Sequence, residues 1–546
     1  MRFIPNVAIR RDVLTSSEDT IGCHCRSGLE LWYHRPRHSC SALVAPMIAC
    51  QISRSIFLVC GVLLAGGCED NPSSRDATVT TAVQGSSVPS PRVAQFCGHC
   101  HAFPQPHTFA RSEWRAEVAQ GFRFYEVAEN LKLDVPTEDE VVAFYESAAP
   151  ENIPEPLPQD VEESSIFRSK VRADDSVAMS ISGVFPGAHA GELWACDMRT
   201  ATIYRSEETG RFSEAVRPVE CANPCRLNWA DLDRDGQSEL LVSDLGSFFP
   251  QDHLNGAVWK LDPLADWKCT PVIQGISRVA DVQPGDLDRD GDLDLVVAEF
   301  GWRRTGRLLV LWNPGHSDFT TWKQEVIDPR HGAIDVPLID LDGDGHLDIV
   351  ALLSQEFEMV VAYLNRGEGQ FEQKVIFAAN EPSFGSSGIE IVDFDQDGDS
   401  DVILSNGDSF DSSYVKPFHG VRWLENVGRY PFVAHDVVRM AGVHRTVAGD
   451  IDLDGDLDLA SVSLLPPSVM QKWKGLPSII WMENQGNDQF LSHVMEVDAA
   501  HHASCELNDV DQDGDLDIVA TNFRWQEETG PPVTWFINQK RLPPPQ

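Results

Sequence analysis

Six nine-residue stretches place carboxylates where they could hold a metal ion. They read DLDRDGQSE, DLDRDGDLD, DLDGDGHLD, DFDQDGDSD, DIDLDGDLD and DVDQDGDLD. Positions 1, 3, 5 and 9 are Asp231, Asp233, Asp235 and Glu239 in the first, and Asp286, Asp288, Asp290 and Asp294 in the second. They are Asp340, Asp342, Asp344 and Asp348, then Asp393, Asp395, Asp397 and Asp401 in the next two. The last two supply Asp450, Asp452, Asp454 and Asp458, and Asp509, Asp511, Asp513 and Asp517. Glycine follows the third carboxylate every time. Short hard oxygens at alternate positions can close around one Ca²⁺, with the position-7 carbonyl inside and glycine taking the sharp turn. One copy alone reads as an acidic, solvated turn. Six copies, spaced 55, 54, 53, 57 and 59 residues apart, read as a structural repeat.

A second motif, FCGHCH, sets Cys97, Cys100 and His101 in the C-x-x-C-H spacing of covalent haem c: two thioether anchors and a proximal imidazole. A Cys97–Cys100 disulfide and a small zinc site are the competing readings. No Met occurs between His101 and Met179, so the usual thioether sixth ligand is missing. His107 is a candidate for that position, a water-ligated or five-coordinate iron being the alternative.

The elements that must position these residues follow from the flanking sequence. An EF-hand needs a bidentate Glu at position 12 and a helix on each side. Position 12 here is apolar, as in Val297, Ala351 and Leu404, and the runs after each loop (LDLVVAEFG, LDIVALLS, SDVILSNG) are buried-strand patterns. Each loop therefore joins two strands, and a period in the fifties predicts a β-propeller with one repeat per blade. Aromatic strand cores recur at Trp194, Trp259, Trp312, Tyr363, Trp423, Trp481 and Trp535, one more than the aspartate loops. The expectation is seven blades, six of them metallated, with only Asp174 and Asp175 where a loop of the first blade would be. Residues 166–546 then give about 54 residues per blade.

These repeats resemble the FG-GAP or VCBS family, propeller repeats related to the integrin α-subunit head. The resemblance covers about 70% of the chain and implies Ca²⁺ in all six loops. It fixes fold far more than function. The stretch CGHCHAFPQPHTFARSEWRAEV also resembles short cytochrome c-like segments fused to such propellers. Ser112 can cap a helix through Trp114, Val118 and Phe122, and Thr137 with Glu140 forms a capping-box signature before a terminal helix. The fold class expected is thus all-β, a seven-bladed propeller with six calcium loops, preceded by a small α-helical cytochrome c-like domain.

The 546-residue chain carries a net charge of −41, and 28 of its acidic side chains lie in the six loops. Six Ca²⁺ would return +12 and leave about −29, which argues against nucleic acid as a partner. Residues 1–46 show no framework and read as a mis-assigned start or unstructured segment. Residues 47–67 read as a signal peptide: Arg54, an apolar core from Ile56 to Leu64, then small residues. The ending LLAGGC resembles a bacterial lipoprotein lipobox, which implies lipidation of Cys68 and a membrane anchor; a cleaved, secreted form and a genuinely longer N-terminus are the alternatives. Residues 68–92 read as a tether, 93–149 as the haem domain, 150–165 as a proline-rich acidic linker and 166–546 as the propeller. A strand near Ile166–Val171 is expected to close the ring, or to be the inner strand of blade one. Cys221 and Cys225 could form a local disulfide.

Basic residues precede the aspartate loops by five to ten positions: Arg226, Arg278, Arg330 with His331, His444 with Arg445, and His501 with His502. Aromatic connections carry Trp302 and Trp525. Both sets are expected on the face opposite the loops. One reading is a basic central funnel rimmed by aromatics, suited to an anionic or saccharide ligand. The other is charge balance and packing between blades. The leading expectation is an exported, lipid-anchored, periplasmic or cell-surface redox protein in which the propeller binds a protein redox partner or a substrate. A lectin-like adhesion module with a vestigial haem segment is the alternative. No hydrolase motif is present in the sequence.

Overall fold

In the computed structural model, residues 88–540 are described, except 128–132, 159–160, 171–179, 207–210 and 527–528 and the single positions 165, 188, 190 and 219. The signal-peptide stretch, Cys68, Asp174 and Asp175 lie outside the described residues.

Seven sheets, six built on an antiparallel four-strand meander and the seventh on three consecutive strands and one from far upstream, form the seven-bladed propeller. The second strand of blades two to six (ELLVSD, DLVVAE, DIVALL, DVILSN, DLASVS) is buried along its whole length. A strand with blades on both of its faces has no solvated side, so it is nearly continuous in apolar residues instead of alternating. Leu241 and Val258 of blade two pack with Val282, Leu295 and Leu309 of blade three, and similar clusters join later neighbours. Each such side chain stabilises by about 1.5–3 kcal/mol.

The ring closes through its N-terminal strand. Phe167–Lys170 pairs antiparallel with Val533–Asn538 and becomes the outermost strand of blade seven. It is not the inner strand of blade one, which is Ile181–Pro186. The proline-rich stretch before it does more than connect: Val161–Glu163 runs parallel to Phe490–Val497 as a fifth strand on blade six.

Blade one departs from the expected alignment. Trp194 stands on its second strand, Leu193–Asp197, whereas Trp259, Trp312, Tyr363, Trp423, Trp481 and Trp535 all stand on third strands. The third strand of blade one is Thr202–Ser206, and Tyr204 fills that place. Its first and second strands are joined between Pro186 and Leu193, well after Asp174 and Asp175 in the sequence. Cys221 and Cys225 are separate thiols and not a disulfide.

Among the described residues, three α-helices precede the propeller: α1 (Pro91–Cys97), α2 (Trp114–Val127) and α3 (Glu138–Ala148). Ser90 caps α1 by accepting the Val93 N–H, and Thr137 caps α3 by accepting the Glu140 N–H. Trp114 and Tyr145 stack at 3.7 Å in a core that also takes in Phe109 and Tyr414, the latter from blade five. The helices therefore pack on the propeller. Glu381, between blades four and five, accepts the Gln105 N–H (2.9 Å) and the Thr108 hydroxyl (2.8 Å). Arg303 of blade three stacks 3.4 Å over the Phe124 ring. All these contacts fall on second-to-third or inter-blade connections, so the helices cap the face opposite the aspartate loops. No helix among the described residues is long and apolar enough to cross a membrane.

Candidate functional site

Each aspartate loop joins the inner strand of its blade to the second strand, as in Val279–Gly285 and Asp294–Glu299. Glycine at position 6 has positive φ in all six, from +86° to +104° (Gly236, Gly291, Gly345, Gly398, Gly455, Gly514). Position 4 is left-handed as well: Arg234, Arg289, Gly343, Gln396, Leu453 and Gln512. Two such residues coil the loop so that side-chain oxygens converge. One oxygen from each of Asp286, Asp288 and Asp290 lies within 4.8 Å of the others, as do those of Asp340, Asp342 and Asp344, Asp393, Asp395 and Asp397, and Asp450, Asp452 and Asp454. In the first loop the convergent set is Asp231, Asp233 and Glu239. In the last, Asp509 accepts the Asp513 and Gly514 N–H groups at 3.0 and 3.1 Å.

Position 9 has a second task. Its carboxylate is buried, and in every loop except that of Asp458 one oxygen accepts the position-2 N–H, as Asp348 does from Leu341 at 2.9 Å. The other accepts the N–H of an asparagine ending the third strand: Asn313, Asn365, Asn426, Asn484 or Asn538, at 2.7–2.8 Å. These asparagines donate through Nδ2 to the position-8 carbonyl of the same loop. Asn365 and Asn538 also reach Leu287 and Ile451, in the loop one blade back. Sequence reading missed them, although each stands just after its aromatic strand core. Blade two replaces the arrangement with Lys260 ion-paired to Glu239. Burial, above all else, pushes Asp294 and Asp458 up to about 7, and Asp348, Asp401 and Asp517 up to about 6.

The loops fit a hard cation. The Oδ1 atoms of Asp286, Asp340 and Asp393 are sealed from solvent without a hydrogen-bond donor, and an acceptor-only oxygen in that position is satisfied by a metal ion. Among the described residues, basic side chains reach a carboxylate at position 3 or 5 in three loops: Lys260 near Asp233 (3.7 Å), Arg366 on Asp342 and Asp344 (2.5 and 3.2 Å), and Lys540 on Asp452 (2.7 Å).

The C-x-x-C-H segment lies at the C-terminus of α1. Cys97 is half-buried and burial pushes its thiol up to about 11; Cys100 is exposed and is raised by desolvation and then by Glu356. They stand as separate thiols. His101 Nδ1 lies 2.7 Å from its neighbour's carbonyl, Ala102 O. That contact suits an Nδ1–H donor and leaves Nε2 as the ligating nitrogen. Phe96 packs on Phe122 and Tyr125 at 4.9 and 5.2 Å beside the motif. The residues thus fit a covalently attached haem. His107 is exposed, on the turn Pro106–Thr108 that docks on Glu381.

The basic residues expected in an open funnel are largely matched internally. Arg226 pairs with Asp281 and Asp335, Arg330 with Asp328, His331 with Glu356, and Arg445 with Glu390. His444 meets Ala503 O, and His502 is buried between Thr521 O and Glu496. Arg278 is buried over Phe300, its Nε and Nη1 without partners. The rim aromatics close on one another: Phe248 on Phe523, Phe523 on Trp525, and Trp525 on Phe410, which links blades two, seven and five. Trp302 lies beside Arg303, 5.1 Å from ring to guanidinium.

The FG-GAP-like repeat family matches residues 286–351 and 340–404. Residues 286–404 are thus similar to FG-GAP-like repeats. The matches begin on Asp286 and Asp340, so they run from one aspartate loop into the next. No curated protein matches the chain. Among solved structures it is similar to a streptogramin B lyase (12% identity, 69% of this chain and 99% of that one, TM-score 0.44). It is also similar to virginiamycin B lyase from Staphylococcus aureus (12%, 68% and 99%, 0.43) and to a calcium-binding protein, regucalcin, from Agrobacterium tumefaciens (11%, 61% and 97%, 0.35).

Proposed function

We propose that this FG-GAP-like propeller is a calcium-stabilised platform that carries a covalent haem c on the face opposite its metal loops, and that it works in electron transfer outside the cytoplasm. The observation that carries the reading is the position of Cys97, Cys100 and His101. They lie at the end of a capped helix in a small helical unit packed on the propeller. A haem held there would supply one-electron chemistry. The chain's own residues would do the rest. Cys97 and Cys100 anchor, and the Ala102 carbonyl orients the His101 ring. Glu356, paired with His331 at 2.8 Å, sets a negative field within reach of both Cys100 and His101. The six loops would hold Ca²⁺ at positions 1, 3, 5 and 9. The export signal and a lipid on Cys68 belong to the same reading, since haem attachment takes place after export.

The test is expression of the full chain in a host with haem maturation active. A c-type absorption spectrum and a mass increase of one haem are expected. Cys97→Ser with Cys100→Ser should abolish both, and His101→Ala should keep the covalent mass while changing the spin state. Apoprotein recovered from a maturation-competent host would overturn the haem assignment.

A further inference from the structure

The propeller axis holds a cavity of about 160 Å³ that neither the metal loops nor the C-x-x-C-H segment uses. Its walls come from the inner strands of blades one, two, six and seven. Arg226, Asn228, Arg445, Ser504 and Glu506 form the polar side, and blade one supplies an apolar side that includes Val184.

The charges along the axis decide what fits. Blades two to seven each contribute one inner-strand charge: Arg226, Asp281, Asp335, Glu390, Arg445 and Glu506. Four carboxylates therefore face two guanidiniums. Arg226 is already held by Asp281 and Asp335, and Arg445 by Glu390 and the Ile389 carbonyl. Glu506 has no hydrogen-bond donor among the described residues, yet it lines the cavity. Asn228 spends its Nδ2 on the Val282 carbonyl, which leaves its Oδ1 as an acceptor. An anionic ligand would have to compete with carboxylates already in place, whereas a cation meets the one carboxylate without a mate. Burial pushes Glu506 up to about 7, Glu390 adds to this, and Arg445 and Arg226, neither of them ion-paired to it, offset it only in part. The apolar wall excludes a strongly hydrated metal ion and suits a short hydrocarbon. A cavity near this size holds roughly six to eight non-hydrogen atoms, as one of about 150 Å³ holds benzene.

We infer that the axial cavity binds a small organic ammonium ion, its charged nitrogen on Glu506 and Asn228 and its short apolar part against blade one. The inference is independent of calcium and of haem.

Calorimetric titration of the full chain, saturated with Ca²⁺, with n-butylammonium chloride tests it. One saturable site per chain is expected, weakened at least tenfold in Glu506→Gln. Ser504→Leu, which fills the cavity and keeps the charge, should weaken it similarly; melting curves of both variants check that they are folded. Sodium butyrate, of the same shape and opposite charge, should not bind. Equal binding by wild type and both variants, no binding of butylammonium, or preference for butyrate would each overturn the inference.

Discussion

Two carboxylates of one loop separate structure from metal binding. Asp401 accepts the Asn426 N–H (2.7 Å), the Trp423 indole N–H (2.9 Å) and the Phe394 N–H (3.2 Å), all out of solvent. Asp401→Ala would orphan three donors, and the loss expected is about 3–5 kcal/mol even in chelator, read by urea unfolding. Asp397 is exposed, accepts only the Asp399 N–H among the described residues, and shares an oxygen cluster with Asp393 and Asp395. Asp397→Asn should stay within about 0.5 kcal/mol of wild type in chelator while losing part of the stabilisation on adding Ca²⁺. Equal effects of the two changes, with and without metal, would show that position 9 and position 5 have one role.

At the scale of elements, the strand Phe167–Lys170 holds the ring shut by pairing with the last strand of the chain, so its ladder bonds join segments more than 350 residues apart. Proline lacks the N–H, and along an antiparallel strand alternate residues point that group at the partner. Of Arg168→Pro and Ser169→Pro, one should therefore lower the melting temperature by several degrees and the other less. The parallel strand Val161–Glu163 only adds to the outer edge of blade six. Glu162→Pro should leave the melting temperature nearly unchanged. Scanning calorimetry on the three variants distinguishes closure from decoration.

For the whole molecule, each loop that binds Ca²⁺ in the folded state alone adds about 2.7 kcal/mol when free metal is a hundredfold above its Kd. Chelation should thus lower the melting temperature markedly and Ca²⁺ should restore it in a concentration-dependent way; indifference to chelator would remove the calcium assignment. The helical cap tests separately. Glu381 is buried under it and takes two of its hydrogen bonds. Glu381→Ala should speed protease cleavage within residues 88–158 several-fold and leave the propeller's calcium-dependent melting where it was. A single transition lowered as a whole would mean that cap and ring unfold together.

What the sequence alone determined is what short, local chemistry repeats. The spacing of the aspartates, the glycine at position 6 and the apolar runs after each loop specify strand–loop–strand units, and their number gives the blades. The capping residue of α3 is equally local, since Thr137 and Glu140 lie within one turn. Tertiary structure decided whatever depends on partners distant in the chain. The place of Trp194 in blade one was lost because that blade lacks the loop that sets the phase elsewhere. The asparagines behind position 9 act on loops about twenty residues away, and one blade further back for Asn365 and Asn538. Arg226 and Arg445 looked like part of a basic surface because their mates lie 55 to 109 residues away: Arg226 finds Asp281 and Asp335, and Arg445 finds Glu390, only when seven inner strands share one axis. A buried charge must be matched inside the fold, and which carboxylate does so is set by the closure of the ring.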